Sequence, residues 1–467
     1  MSAEAATENT NIPASYRNKG NLTQGSIKDH LIRLSVPMMW GIGIMISFQL
    51  VDMYFIGLLG TTTLAAISFT FPITYLIFSL LLGFGIAASS VISRLIGGGE
   101  EQAEKMHRVA THSILLMIFI GIGISVIGLS VYQPLFAYLG AGADLQPYIH
   151  AYMSWWFIGS IFLATPLVGN SIIRANGDTM TPAIIMTSAA VINIILDPLL
   201  IFGLAGFPRL EVEGAAIATM IANAFAMVLG LAILKLKGLI QVQYFIRLKN
   251  FWSSIKLLLL IALPVGLANI ILPFVNTVII SLLADSGHSA VAAFGIASRV
   301  EAFAFIVIMG VAVGMAPIIG QNWGAKKFDR VKETLQKALL FSVFWSLGVA
   351  VLLGVLYPFI AGTFSDDPKV VEYTRLYFWI VPITYALSNL VHGWGSAFNA
   401  MGHPRMSFMI IVIKMLVMML PALYIGDAIG GVTGLFCAIA TVNFVGGGLI
   451  HLYCWRKFTS WIERPSV

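Results

Sequence analysis

Two aspartates sit inside stretches that are otherwise apolar. Asp52 lies in LSVPMMWGIGIMISFQLVDMYFIG and Asp197 in VINIILDPLLIFG. A charge at the centre of a membrane helix costs about 2.5–3.5 kcal/mol on insertion scales, so an acid kept there is a functional candidate by default. Asn193 is four residues before Asp197 and shares its helix face. Pro198 follows and has no N–H, so the carbonyl of Ile194 loses its helical donor beside that face. Amide, carboxylate and free carbonyl are the oxygen ligands of a hard cation. They are equally a hydrogen-bond cage that tunes a proton-binding carboxylate. Asn170 and Thr219 are candidate neighbours, with plain interhelical packing bonds as the equal alternative. A second polar set, Arg299, Glu301, Asn389, His392 and Lys414, lies further along. Glu301 with Arg299 or Lys414 is expected to form a structural ion pair, which removes the insertion penalty of both. His392 is expected to be a hydrogen-bonded interior histidine. No HExxH, GxSxG or Walker loop occurs, and the two cysteines make no CxxC. An enzyme, an ATP-driven pump and a metal centre are therefore not expected, nor is any cofactor.

The elements that must position these residues are membrane helices. The 467 residues are 58% hydrophobic and 10% charged, with mean hydropathy +0.89. A soluble domain carries about 25% charge. A hydrocarbon core of about 30 Å takes about 20 apolar helical residues. Twelve spans are predicted at 34–58, 62–96, 109–132, 145–172, 181–204, 212–235, 255–283, 289–320, 334–363, 371–400, 406–427 and 430–455. Nearly all of the 27 Lys and Arg fall in connections on one side; only Arg209, Lys369 and Arg375 fall on the other. The positive-inside rule then puts both termini in the cytoplasm. Residues 1–33 read as a polar cytosolic tail, its beginning disordered in character. Residues 237–254 read as a cytosolic linker suited to the membrane surface, and 456–467 as a cytosolic tail.

The linker divides two similar halves, 34–236 and 255–455. Pro37 pairs with Pro264, Leu64 with Val291 and Gly97 with Gly324, all at one common separation; Gly177 pairs with Gly402 at nearly the same one. Order and spacing of this kind mark an internal duplication. Six spans per half make the repeats parallel, related by a pseudo-twofold along the membrane normal. The fold class is thus an all-α integral membrane protein of twelve helices in two six-helix lobes. The duplication is lopsided: the position matching Asp52 is Ile279, and the region matching Asn193 to Asp197 has no acid. Such an arrangement suits a transporter binding substrate between its halves.

The segments VDMYFIGLLGTTTLAAIS, SRLIGGGEEQAE, RANGDTMTP, NIILDPLLIFG, EGAAIAT and IIGQNWGAKK, in that order, resemble the multidrug and toxic compound extrusion (MATE) transporters, and the DinF-like branch among them. The resemblance implies a V-shaped cavity between two lobes and export of cationic or amphipathic drugs in exchange for H⁺ or Na⁺. It assigns cation or proton binding to Asp52, Asn170, Asn193, Asp197 and Thr219, and makes Pro37 the point about which the first helix bends. Span 7 carries no acid and span 10 has Ser388-Asn389, so a sodium site in the second lobe is not expected. H⁺ is the expected coupling ion, with Na⁺ at Asp52, Asp197 and Asn193 as the alternative. A rival is a lipid-linked substrate flippase of the same superfamily. It would want a cationic cavity, and the spans offer only Arg299 and Lys414. The remaining expectations are a monomer in the plasma membrane, small-molecule and lipid partners, and no nucleic acid.

Overall fold

The computed structural model describes residues 21–246, 248 and 250–463. Among these the chain is helical with no strand. The first lobe runs through α1 (Ile27–Gly57), α2 (Thr61–Gly97), α3 (Ala103–Tyr138), α4 (Gln146–Ala175), α5 (Met180–Phe202) and α6 (Val212–Leu236). The second begins with α7 (Phe251–Asp285), α8 (His288–Gly324) and α9 (Phe328–Phe364). It continues with α10 (Pro368–Ile380), α11 (Tyr385–Met401), α12 (Pro404–Val412), α13 (Leu420–Thr441) and α14 (Gly447–Glu463).

Several helices depart from the predicted spans, each for a local reason. Span 10 is broken into α10 and α11 by a 3₁₀ turn at Pro382–Thr384, where proline withholds the backbone donor. Spans 11 and 12 form a continuous run, Pro404–Glu463, that doubles back at Gly430 and Gly431. Gly431 has φ 53°, and Gly426 and Gly434 pack backbone to backbone below the reversal. Two π-helical turns, Ile413–Met419 and Val442–Gly446, interrupt the same run. With the broken span counted once and the doubled run twice, twelve crossings result, and both ends of the described part lie on one face, here the tail face.

The polar ends are better ordered than their composition implies. Residues 21–26, expected to be tail, form a strap on the second lobe. Arg330 donates to the carbonyls of Leu22 (3.1 Å) and Gly25 (2.8 Å), and Leu22 is buried with Ile27, Leu34 and Ile318. Residues 1–20 lie outside the described part. The expected tail from 456 continues α14 to Glu463; Phe458 is buried and Trp461 stacks on His403. Residues 464–467 lie outside the described part. The linker folds back over α3: Gln241 N donates to Thr111 Oγ1 at 3.1 Å, Leu239 is buried, and Tyr244 meets the ring of His112 edge-on. A single helical turn, Gln243–Ile246, is its regular part.

The duplication is visible as packing. Helix α1 packs on α8, and α2 on α7 and α8. A side chain on Gly97 would strike the backbone of Gln321, and one on Gly324 would strike the backbone of Arg94. Arg94 and Gln321 are themselves repeat mates, as are Gly97 and Gly324, so the two contacts are symmetric copies. Gly320 lies against Ser93, its own mate, which puts the pseudo-twofold axis between them. All these close approaches lie at the tail-face ends of α2 and α8.

Candidate functional site

Helix α5 buries Ile185, Ala190, Asn193, Asp197, Leu200 and Ile201, a stripe at helical spacing turned into the first lobe. Helix α6 meets it with small residues: Gly214, Ala215, Ala216, Ala218 and Ala222 are buried, and Gly214 lies on the Leu200 carbonyl. That close approach lets Thr219 reach across. Asp197 is 0% and Asn193 2% exposed. The Asn193 amide bridges them. Turned to satisfy both ends, its nitrogen donates to Asp197 Oδ2 at 3.1 Å and its oxygen accepts from Thr219 Oγ1 at 3.2 Å.

Asp52 enters from α1. It lies within electrostatic reach of Asp197 and of the Tyr152 hydroxyl of α4. Asp52 Oδ1 is buried with no hydrogen-bond partner among the described residues. Asn170, on the same helix as Tyr152, also keeps a buried Oδ1 without a partner, and no hydrogen bond joins it to Asn193 or Asp197. No side chain among the described residues donates to the Ile194 carbonyl that Pro198 frees. Two acceptor oxygens, Asp52 Oδ1 and Asn170 Oδ1, thus stay buried without a donor among the described residues, which is the environment a proton or a small cation completes.

Tyr152 was not foreseen. It is one of 14 tyrosines, and nothing in its neighbourhood in sequence sets it apart. Pro37 lies within α1, which runs through it unbroken. The proline cannot donate to the carbonyl of Arg33, and Thr179 Oγ1 donates to that carbonyl instead, at 3.3 Å.

The second polar set differs from expectation. Glu301 forms no ion pair among the described residues. Its carboxylate accepts from Tyr377 Oη at 2.5 Å and from Tyr385 Oη. Arg299 is exposed, and Lys414 donates to Ser388 Oγ at 2.6 Å. Two tyrosine hydroxyls thus replace the cation, and the broken span supplies both, one from α10 and one from α11. Lys414 sits in the π-helical turn and is 1% exposed. Asn389 Nδ2 donates to Ser346 Oγ at 2.9 Å. His392, expected in the interior, is the one exposed residue on an otherwise buried α11, with Phe305 edge-on to its ring.

The MatE family profile matches residues 37–199 and again 264–425, one match per lobe and in the register of the repeat. The chain belongs to the MatE family. A FAD transporter of Shewanella oneidensis is 40% identical over 92% of this chain and 95% of its own. The multidrug export protein MepA of Staphylococcus haemolyticus is 30% identical over 90% and 92%. The crystal structure of the Vibrio cholerae MATE transporter VcmN in the bent form superposes with a TM-score of 0.86 at 30% identity, covering 96% of this chain and 99% of that one. As a MatE protein the chain is a multi-pass membrane transporter and not an enzyme.

Proposed function

We propose that the protein is a secondary active exporter that exchanges a small amphipathic organic molecule for H⁺ through Asp52 and Asp197. The observation that carries this is the buried pair of acids: Asp52 Oδ1 has no partner among the described residues, and Asp197 is held only by the amide of the Asn193–Thr219 bridge. Two carboxylates within electrostatic reach do not both ionise cheaply, so the pair takes up and releases protons as a unit. Protonation removes the charge that holds cargo or water. Helix α1 then rearranges about Pro37, cargo leaves, and the lobes rock. Exchange requires only that ion and cargo compete for one conformational equilibrium. Na⁺ held by Asp52, Asp197 and Asn193 is the alternative. In this reading the tail face is cytoplasmic and the membrane is the plasma membrane.

The test is efflux from vesicles with ΔpH and the Na⁺ gradient set one at a time. Transport driven by ΔpH without Na⁺, and lost in Asp52→Asn and in Asp197→Asn, supports the scheme. Wild-type transport in both variants sinks it.

The sign of the cargo has a second reading. The acids favour cations. Lys414 has no carboxylate within ion-pair distance among the described residues, and a relative is named for FAD, an aromatic anion. An unpaired buried ammonium is costly and favours a cargo that brings a phosphate. Riboflavin, FMN and FAD share one ring system and differ in phosphate. On the anionic reading Lys414→Gln weakens binding of FMN and FAD by about tenfold, 1–2 kcal/mol, and leaves riboflavin unchanged. Equal effects on all three exclude it.

A further inference from the structure

The two lobes are copies, but one seam that is closed in the first leaves a groove in the second. In the first, α1 packs on α5: Gly41 lies on Ala183, and Thr179 Oγ1 donates to the Arg33 carbonyl that Pro37 leaves free. The repeat mate of α1 is α7, and Pro264 stands where Pro37 stands. Two residues beyond Gly177 is Thr179; two residues beyond its mate Gly402 is Pro404, which has no side-chain donor. The staple is missing, and no side chain among the described residues donates to the Leu260 carbonyl that Pro264 frees. Between α7 and the start of α12 a groove of about 540 Å³ remains.

Its lining has two parts. Leu259, Leu260, Leu263 and Pro264 form an apolar wall running into the membrane. Lys256 and Arg405 stand at the tail-face end with Trp252, which is 79% exposed. No acid lines the groove. Basic residues at a helix end beside an interfacial tryptophan, over an apolar slot between helices, match a lipid with a negative head and a hydrocarbon tail.

We infer that the groove between α7 and α12 binds an anionic phospholipid of the surrounding bilayer, its phosphate between Lys256 and Arg405 and an acyl chain along Leu260 and Leu263. The lipid takes the place that the Thr179 staple holds in the first lobe. It thereby braces α7, the helix equivalent to the proline-bearing α1. A zwitterionic lipid meets the same phosphate contact but carries its own cation to the two basic groups, so net charge is what the site reads.

Quenching of Trp252 by brominated lipid tests this with the full-length protein in nanodiscs. The signal is the difference between wild type and Trp252→Phe, read at increasing fractions of brominated phosphatidylglycerol or brominated phosphatidylcholine. Phosphatidylglycerol is expected to saturate the quenching at a far lower fraction. Each basic residue near the surface adds roughly a fivefold preference, so Lys256→Gln/Arg405→Gln loses about twenty-five-fold of it. Lys256→Arg/Arg405→Lys keeps the preference. Leu260→Phe narrows the slot and weakens quenching at Trp252 by both lipids. Equal half-saturation by the two lipids in the wild type, or a preference that survives in the double Gln variant, overturns the inference. Both sites of substitution are exposed, and elution as a single species from size exclusion confirms that each variant is folded before it is read.

Discussion

At the scale of single residues, the carboxylates inside the fold differ in how far they are satisfied. Asp52 Oδ1 has no donor among the described residues and Asp197 has the Asn193 amide alone, whereas Asp178, in the connection between α4 and α5, is fully engaged. It accepts from Lys237 Nζ at 2.9 Å and from Thr181 N at 3.0 Å and Oγ1 at 2.6 Å. Burial pushes its carboxyl up, but these bonds outweigh burial and hold it below the ordinary carboxylate range. A depressed value stabilises the fold above the unfolded-state value and is lost as pH falls through the folded one. Asp178→Asn is thus expected to cost about 1 kcal/mol at neutral pH, seen as a lower Tm in detergent. The gap between variant and wild type should close below about pH 4. A gap that persists in acid would mean that packing, not charge, carries the effect. The candidate acids were legible in the sequence because a carboxylate in an apolar run is conspicuous. Their meeting with Tyr152 was not, because an aromatic in an apolar run looks like any other. The two-tyrosine clamp on Glu301 was hidden for the same reason, and the missing ion pair followed from it.

At the scale of elements, prolines do most of the differentiation. Pro37 frees a carbonyl that the loop before α5 recaptures, so α1 stays continuous while keeping a point of weakness. Thr179 is buried and makes this contact from outside the helix. Thr179→Val keeps the shape and removes the donor. A cost of about 1–2 kcal/mol in stability is expected, together with slower turnover, since the bend at Pro37 is then biased. Unchanged stability and unchanged transport would remove Thr179 from the account. The even spacing of apolar runs made most helices readable in advance. The break at Pro382 was available in principle, since proline withholds a donor wherever it stands. The π-helical turns were not: one extra residue in a helical turn leaves no mark on composition. Nor was the order of residues 21–26, whose carbonyls are held by Arg330, a residue of the other lobe.

At the scale of the whole molecule, a symmetric frame carries unsymmetric contents. The axis between Ser93 and Gly320 relates the lobes, yet the acid pair belongs to one and the buried lysine to the other. The lobes are fastened at the tail face. Gln321 of α8 donates to the carbonyl of Ala175 in α4 at 2.9 Å and accepts from Leu22 N of the strap at 2.9 Å. Opening toward that face would release these bonds, and in the proposed exchange cargo and ion acting on the same equilibrium would offset their cost. The central claim is that cargo and protons exclude one another at Asp52 and Asp197. The most direct measurement is proton release on adding cargo to the purified protein in weakly buffered solution near neutral pH. Cargo should expel protons from the wild type and expel none from the Asp52→Asn/Asp197→Asn protein. Binding without release in the wild type, or equal release in both proteins, would contradict it.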